Sequence, residues 1–247
     1  TLDHIKARHG LDIDLTTINY EDAGVYASVN RRSTLGLFQL EGSAFTRILD
    51  KMPIEEFNDL VTGTSLIRPG AADSSFGARF LKARNGAPWK PYCEIMRPFT
   101  EDTLGEILYQ EQLMLTVQHV AGMSVKDSNA IRKIIGKKKD VSELDVYRER
   151  FVDGAQQHLG RTGAENMWKD FEKSANYQFN KSHAVAYSMI TYQTMWLKHH
   201  YPIEFMLALL SGETNIAKRL YYLNECKRLG IAIKVPHVNH SEIRMSI

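Results

Sequence analysis

Ser124-Val-Lys-Asp-Ser-Asn-Ala-Ile-Arg-Lys-Ile-Ile-Gly-Lys-Lys-Lys139 is the stretch from which the fold and function of this chain are most directly predicted. Its isoleucines follow the i, i+3, i+4 spacing of one helical face, at Ile131, Ile134 and Ile135. Ser124 or Ser128 can cap the start of such a helix, and Gly136 weakens it where the lysine triplet begins. We therefore expect a helix that docks on a core through its isoleucines.

The cations of this stretch fall on the opposite side of the helix. At about 100° per residue, that face carries Lys126, Lys133 and Lys137, with Arg132 at its flank. Asp127 is the one acid nearby, and like charges one turn apart repel each other. A phosphate-rich partner would remove the repulsion. The alternative is a charged face that is simply hydrated.

The overall charge of the chain is nearly balanced. Its 247 residues include 31 Lys and Arg against 29 Asp and Glu, a formal net charge of +2 at pH 7. This balance argues against a uniformly basic nucleic-acid-binding surface and favours local clusters of cations. The two cysteines have no Cys-x-x-Cys partner, so neither a disulfide framework nor a zinc ribbon is indicated. Without a signal peptide or an apolar run of about 18 residues, we expect a cytoplasmic protein with no membrane partner.

Helical periodicity dominates the rest of the chain, so the sequence predicts a mainly α fold with a few short strands and long loops. The expected helices are at 43–49, 53–66, the later part of 104–121, 142–159, 164–175, 184–199, 201–212 and 214–229. Segment 35–41 is expected to be either β-type or buried, and short strands are expected at the start of 104–121 and at 231–235. The Pro- and Gly-containing stretch 68–103 is expected to be a long loop, of the kind that is functional or mobile.

Several polar residues interrupt apolar runs. Gln39 and Glu41 lie in the run 35–41, and buried polar groups need partners, so they are structural hydrogen-bonding residues or site residues. Gln110 and Glu111 are assigned the same structural role. Asp12-x-Asp14 could share Mg²⁺, but it lies in a polar linker without the other acids of a coordination loop. His199 and His200 are interpreted as surface or packing residues, and no metal is assigned to this chain.

A second informative stretch is Asn176-Tyr-Gln-Phe-Asn-Lys-Ser-His-Ala-Val-Ala-Tyr187. Its first half is turn-like and its second half opens a long helix, so Asn180, Lys181, Ser182 and His183 lie where free amides and the helix dipole favour anions. A Ser182/His183 nucleophile–base pair is the alternative, but no acid orients the histidine. Arg68, just before Pro69-Gly70, is a further candidate anion contact.

These motifs, taken together and in order, resemble the fingers region of bacterial or phage C-family replicative DNA polymerases, the family of the DNA polymerase III alpha subunit. The resemblance rests on 37–41, 66–70, 107–112, 131–139, 179–187 and 192–205 and extends over about residues 35 to 235. It implies a lead-in from the palm at 1–34, a fingers domain at 35–235 and the start of the following segment at 236–247.

The resemblance also implies roles for particular residues. Arg132 and Lys133 match the arginine pair that contacts the triphosphate, although lysine lacks the bidentate fork of the second arginine. Arg68 matches the arginine of an Arg-Pro-Gly-Pro segment in which Ala71 here replaces the second proline. Nucleotide contacts are further implied for Lys137, Asn180, Lys181, Ser182, His183 and Tyr187, and DNA contacts for Lys138 and Lys139.

No catalytic residue is implied in this chain, because the palm aspartates that bind Mg²⁺ in the full enzyme would lie before Thr1. The start at Thr1 without Met and the stop at Ile247 favour a fragment, and we expect it to be inactive alone. The implied partners are primer-template DNA, the incoming dNTP, the remainder of the polymerase chain and, through other regions, replisome components such as the sliding clamp. The alternatives are a non-enzymatic helical nucleic-acid-binding module and a structural helical protein with a hydrated basic face.

Overall fold

A computed structural model describes residues 1–68, 70–136, 144–174, 177–239, 241 and 245–246, with the backbone alone at 135 and 136. These residues group into two compact units. Unit 1 contains Thr1–Thr46, Ile54–Phe57 and Ser188–Ile247, and unit 2 contains Arg47–Pro53 and Asn58–Tyr187. Unit 1 is therefore assembled from both ends of the chain, whereas unit 2 comes mainly from its central part.

The expectation of a mainly α fold is confirmed. The described residues form twelve α-helices, which are α1 (Leu2–His9), α2 (Ala23–Asn30), α3 (Ser43–Lys51), α4 (Phe57–Leu66), α5 (Ser75–Arg84), α6 (Arg97–Thr100), α7 (Gln110–His119), α8 (Val125–Gly136), α9 (Asp145–Ser174), α10 (Lys181–His200), α11 (Pro202–Gly212) and α12 (Ile216–Arg228). Two short 3-10 helices, Glu94–Met96 and Glu101–Thr103, flank α6. Within the described ranges, no helix has both the length and the apolar character needed to cross a membrane.

The short strands that the sequence predicts are not formed. In the described part of the chain, β pairing is limited to an isolated parallel bridge between Tyr109 and Phe179. Segment 35–41 is a series of turns that bury Leu37 and Leu40, and 231–235 is irregular and mostly exposed. A strand needs a neighbour to take up its backbone N–H and C=O groups, and apolar pattern alone does not supply one.

The stretch 68–103 is not the long loop that its glycines and prolines predict. The Ser74 hydroxyl accepts a hydrogen bond from Gly77 N at 3.2 Å and caps α5, which buries Phe76 and Phe80. Glycine is a weak helix former, so Gly77 reads as a helix breaker. The structure requires it there, because a Cβ at this position would lie 2.1 Å from the carbonyl oxygen of Ala71.

Helix α9 joins the two helices that the sequence predicts on either side of Gly160. The backbone of Gly160 has φ 69° and ψ 157°, so it is non-helical and marks a kink between two helical halves. Only glycine adopts this conformation without strain. The two halves pack together through Phe151 and Trp168, whose ring centroids are 5.2 Å apart. With Phe171, they form the fully buried aromatic core of unit 2.

Unit 1 begins with two helices, α1 and α2, in segment 1–34, where the sequence pattern predicts no helix. Helix α2 is capped by Asp22, which accepts hydrogen bonds from Gly24 N at 2.9 Å and Val25 N at 3.3 Å. Helix α1 is held by contacts of Arg8 and His9 with the buried Glu204 of α11, at 2.9 and 2.8 Å. Both helices have only eight residues, so local pattern alone is marginal for them, and α1 depends on its long-range contacts with Glu204.

A buried ion pair lies in the core of unit 1. Lys198 of α10 donates to Glu225 Oε1 of α12 at 2.6 Å, and their side chains are 4% and 7% exposed. The same ammonium donates to the carbonyl oxygens of Ser33 at 3.3 Å and Leu35 at 2.6 Å. Arg228 adds two further hydrogen bonds to the Glu225 carboxylate, each 2.7 Å. The pair therefore fixes the turn region 33–35 and two helices at one point.

Acid should weaken the chain through Glu225. Burial opposes its charged form, but hydrogen bonds from Arg228 and Lys198 outweigh it and hold the pKa of Glu225 at about 2, below the ordinary 4.5. Because the folded-state pKa is the lower one, the stabilisation is complete above the unfolded pKa and is lost as pH falls through 4.5 towards 2. We expect a loss of about 3 kcal/mol in urea denaturation across this window.

The Glu225→Gln variant is the control for this pH dependence. It should lack the corresponding part of the acid-induced loss, because its side chain does not titrate. Equal pH slopes for the wild-type chain and the variant would contradict the assignment.

Candidate phosphate-binding site

Helix α8 is built as its sequence predicts. The Ser124 hydroxyl accepts a hydrogen bond from Asp127 N at 3.1 Å at the start of the helix. Ile131 is fully buried, and Ser128 is buried where Gln118 of α7 donates to its hydroxyl at 2.9 Å. Of the two candidate caps, Ser124 thus caps the helix and Ser128 joins it to α7. The docked face leaves the cationic side of α8 outward.

The described cations of α8 differ in how exposed they are to a ligand. Lys126 and Lys133 are exposed, and Lys133 forms no ion pair with another described residue. Arg132 is half-buried, and its guanidinium donates to Asn129 Oδ1 at 2.9 and 3.2 Å, so the short side chain of Asn129 orients it. Lys137, Lys138 and Lys139 lie outside the described residues.

Asp127 does little to neutralise these cations. Its carboxylate forms two hydrogen bonds with Arg150 of α9, at 2.8 and 3.0 Å, and accepts one from the Ser124 hydroxyl at 2.7 Å. The hydrogen bonds from Arg150 and Ser124 lower the pKa of Asp127 to about 2. Because this charge is already paired with Arg150, the outward face of α8 keeps a positive potential that suits an anionic ligand.

Helix α10 begins at Lys181, three residues before the expected start at 184, and Asn180 caps it. Asn180 Oδ1 accepts hydrogen bonds from His183 N at 2.8 Å and from the Ser182 hydroxyl at 3.0 Å. His183 packs against Tyr187 one turn later, with ring centroids 4.0 Å apart, and against Phe179 at 5.3 Å. The Ser182 hydroxyl therefore bonds to Asn180 and not to the His183 ring, which gives no support to a nucleophile–base pair.

Two acidic side chains already bind the groups at the start of α10 that the sequence assigns to phosphate binding. Glu111 of α7 accepts hydrogen bonds from Asn180 Nδ2 at 2.6 Å and from Lys181 N at 2.9 Å. The Lys181 ammonium pairs with Asp102 and lies 5.5 Å from the centroid of the Tyr109 ring. The carboxylate of Glu111 thus takes the position at this helix N-terminus that the dipole makes favourable for an anion.

A cavity of about 530 Å³ opens beside Lys181. Its lining comprises Pro98, Phe99, Glu101, Asp102, Glu111, Gln112, Leu115 and Lys181. Three carboxylates against one ammonium make this cavity acidic, so it is unsuited to phosphate.

Arg68 lies against the same short segment. Its exposed guanidinium is 4.5 Å from the centroid of the Phe179 ring. The Phe179 backbone is fixed in turn by hydrogen bonds from Gln110 N to its carbonyl at 2.9 Å and from its own N–H to Leu108 O at 3.3 Å. The bridge between Tyr109 and Phe179 therefore brings Arg68, the start of α7 and the start of α10 together.

The polar residues of 35–41 and 110–112 have distinct environments. Glu41 accepts hydrogen bonds from Gly36 N at 2.6 Å and Tyr222 Oη at 2.9 Å, so within unit 1 it ties this turn to α12. Gln39 is exposed, with φ 61°. Gln112 is a buried structural residue that the sequence pattern did not indicate. Its Oε1 accepts hydrogen bonds from Leu108 N and Tyr109 N. Its Nε2 donates to Phe99 O and Thr103 Oγ1.

The predicted site residues thus form two groups within unit 2. One group surrounds Phe179 and contains Arg68, Asn180, Lys181, Ser182, His183 and Tyr187. The other, Arg132 and Lys133, lies on α8. Among the described residues, Arg132 hydrogen-bonds only to Asn129. Helix α7 is the element common to both groups, since Gln110 bonds to Phe179 and Gln178 at its start and Gln118 bonds to α8 near its end.

The acids of the linker are committed to local contacts. Asp12 pairs with Lys6 at 2.9 Å, and Asp14 Oδ1 accepts hydrogen bonds from Thr16 N at 2.8 Å and Thr16 Oγ1 at 2.7 Å. Each carboxylate therefore has its own partner.

Comparison with known proteins gives matches over nearly the whole chain. A sequence model for the bacterial DNA polymerase III alpha subunit finger domain matches residues 1–159. The DNA polymerase III subunit alpha of Helicobacter pylori strain J99 is 36% identical over 241 residues, which is 96% of this chain and 20% of the relative. That of Aquifex aeolicus is 35% identical over 246 residues, or 98% of this chain and 21% of the relative.

The chain spans about a fifth of the length of the curated relatives it matches. A further relative of the same name, from Thermus aquaticus, is 34% identical over 245 residues, again 96% of this chain. The family match covers 159 of the 247 residues. On this basis, the chain belongs to the family of the bacterial DNA polymerase III alpha subunit finger domain.

Proposed function

We propose that this chain is the fingers part of a template-directed DNA polymerase and binds the triphosphate of the incoming dNTP and primer-template DNA during nucleotidyl transfer. The observation that carries the proposal is the cationic face of α8, where Arg132 is oriented by Asn129 and the nearby Asp127 is already paired with Arg150. Among the described residues, Arg132 has no acidic partner. A cation that is fixed in position and lacks a counter-ion is ready to meet a ligand phosphate.

The chemistry of nucleotidyl transfer explains why such cations would matter. Negative charge grows on the bridging and pyrophosphate oxygens in the transition state, and cations already in place stabilise it without reorganisation. Arg132 offers a planar fork that can bind two phosphate oxygens, whereas Lys133 beside it offers a point charge. Lys137 is assigned to the same task, and Lys138 and Lys139 are assigned to DNA.

The second group of residues would contact the nucleotide from the start of α10. Arg68 lies on Phe179, and His183 packs between Phe179 and Tyr187. These groups offer a guanidinium and aromatic faces to a phosphate and a base. Lys181 joins them only when phosphate outcompetes Asp102 for its ammonium, so nucleotide binding would exchange one ion pair for another.

Divalent metal is proposed to bind outside the candidate site. A polymerase of this family is expected to use Mg²⁺, which prefers oxygen ligands and carboxylates above all. The carboxylates nearest the start of α10, Asp102 and Glu111, are engaged with Lys181 and Asn180, so this donor set does not fit a magnesium site. We therefore assign the metal to palm carboxylates of the full polymerase and expect the chain alone not to polymerise.

The wider context follows from the same proposal. The chain would work in the cytoplasm with primer-template DNA, the remainder of the polymerase and, through other regions, the sliding clamp. Within it, 1–34 would lead in from the palm, 35–235 would form the fingers, and 236–247 would begin the next segment. The chain alone should bind polyphosphate weakly, with an affinity that falls steeply as the salt concentration rises.

Arg132→Ala in the full-length polymerase should lower kcat/KM for dNTP incorporation by about 100-fold, because one preplaced donor to the developing charge is lost. The kcat/KM of Arg132→Lys should lie between those of the wild-type enzyme and Arg132→Ala, because lysine keeps the charge but lacks the planar fork. Single-nucleotide incorporation on a primed template measures the effect.

Arg161→Ala is the matched control for this experiment. It removes the same charge from unit 2, but Arg161 lies in an exposed network with Glu149 and Glu165. It should leave incorporation within about twofold, as expected for a surface ion pair. If Arg132→Ala leaves incorporation unchanged but weakens DNA binding, the non-enzymatic nucleic-acid-binding role is favoured. If neither property changes, the face of α8 is merely hydrated.

A further inference from the structure

Three metal-ligating side chains meet in unit 1, whereas the phosphate-binding candidates belong to unit 2. Asp22 caps α2, and His199 and His200 end α10. One donor atom from each side chain lies within 4.8 Å of the other two. We infer that Asp22, His199 and His200 form a binding site for a divalent transition-metal ion such as Zn²⁺.

The ring of His199 is held in the orientation that a ligand needs. Its Nδ1 is 2.7 Å from Ser28 Oγ, and the Ser28 hydroxyl also donates to the Gly24 carbonyl oxygen at 2.9 Å. A carbonyl oxygen only accepts, so both bonds form together only when Nδ1 carries the proton. Nε2 then has a free lone pair. Fixing one ring nitrogen by hydrogen bonding and leaving the other for metal is the usual arrangement of histidine ligands.

Asp22 supplies the anionic ligand. Its Oδ1 accepts from Gly24 N and Val25 N, which fixes the carboxylate, and its Oδ2 is 2.8 Å from His200 Nε2. The carboxylate is therefore held in a fixed orientation.

His200 completes the set after a small movement. Tetrahedral zinc ligands at about 2.0–2.1 Å from the ion lie about 3.3 Å apart. The Asp22–His200 contact of 2.8 Å must open slightly, with loss of the proton between the two atoms, and His199 must close towards them. The His200 side chain is 36% exposed, which leaves it room to turn on its packing against Trp196. Three protein ligands would leave a fourth position for water.

The surroundings favour a cation. Both histidines lie in the last turn of α10, where the helix dipole is negative. Gly24 leaves the space beside the donors free, since a Cβ there would lie 2.9 Å from His199 Nε2 and 3.2 Å from Asp22 Oδ1. Imidazole nitrogen with one carboxylate suits zinc and its neighbours in the first transition row better than Mg²⁺ or Ca²⁺. A bound ion would join the start of α2 to the end of α10 within unit 1.

Titration of the 247-residue chain with Zn²⁺, followed by calorimetry, tests the inference, and Co²⁺ serves as a spectroscopic probe of a tetrahedral nitrogen and oxygen site. We expect one ion per chain and a higher Tm in its presence. His199→Ala should weaken binding at least tenfold. Ser28→Ala should weaken it by about 10- to 100-fold, the usual cost of losing a hydrogen-bond partner of a ligand.

Gly24→Ala is the most selective variant. It keeps all three ligands but places a methyl group against His199 Nε2, so it should weaken metal binding. Alanine favours a helix, so α2 should persist, and circular dichroism checks this. His9→Ala is the control, since His9 also pairs with a carboxylate, Glu204, but has no second imidazole in that pair. Absence of binding by the wild-type chain, or equal binding by wild type, His199→Ala and Gly24→Ala, would overturn the inference.

Discussion

Replacing Glu225 with leucine should lower the free energy of unfolding by about 3–5 kcal/mol. The substitution leaves the ammonium of Lys198, whose side chain is 4% exposed, without its carboxylate partner in the core of unit 1. It also removes the two hydrogen bonds that Arg228 donates, so two neighbouring cations face each other. An uncompensated buried charge costs far more than the pair contributes relative to apolar residues.

Urea denaturation at neutral pH measures this loss. Asp12→Ala is the control, because it breaks an ion pair in the same unit whose partners, Lys6 and Asp12, are 64% and 85% exposed. It should cost no more than about 1 kcal/mol. A similar small loss for Glu225→Leu would show that Lys198 finds water or another acceptor, and that the buried pair does not hold the core together.

Arg84→Ala should have a comparable effect in unit 2, of about 3–5 kcal/mol. Arg84 at the end of α5 forms a two-pronged contact with Asp59 of α4, with both bonds at 2.7 Å. The Asp59 side chain is 3% exposed, so removal of the guanidinium leaves a buried carboxylate without its cation. Arg84→Lys should recover only part of the loss, because an ammonium cannot bind both oxygens in the same plane.

Lys82→Ala is the matched control for Arg84→Ala. Lys82 is an exposed cation two residues earlier on the same helix. Its replacement should change the free energy of unfolding by less than about 0.5 kcal/mol, as is usual for surface positions. If both variants unfold at the same denaturant concentration as the wild-type chain, the contact between α4 and α5 does not depend on this pair.

Local sequence pattern was sufficient where one helix face is strongly apolar or a cap is explicit. The isoleucines of 131–135 and the Ser124 cap predicted α8, whereas α10 begins three residues before its expected start at 184. The same reasoning failed for α5, because Gly77 looks like a helix breaker until the close approach of Ala71 is known. It also failed for the short strands, since a strand exists only where another segment supplies hydrogen bonds.

The sequence predicted which cations belong to the candidate site, but it did not predict the acidic residues that pair with them. Asn180 and Glu111 are 69 residues apart, and Lys181 and Asp102 are 79 apart, so their pairing follows from packing and not from spacing. The sequence placed Asp127 as the one acid beside the basic face, yet its pairing with Arg150, 23 residues away, is what leaves that face positive. The proposed metal ligands likewise come together only through packing, because Asp22 and His200 are 178 residues apart in the sequence.

By itself, the sequence determined the helical class of the chain and its resemblance to the polymerase fingers. It also determined the positions of the basic helix α8 and of the candidate anion-binding start of α10. Those properties depend on residue order within a few turns, where geometry is fixed by the backbone. Tertiary structure alone decided which charges remain available, since Asp102, Glu111 and Arg150 reach their partners only after packing. It also brought Asp22 to His199 and His200. Electrostatic interactions act through space, and the distances that control them are set by the fold.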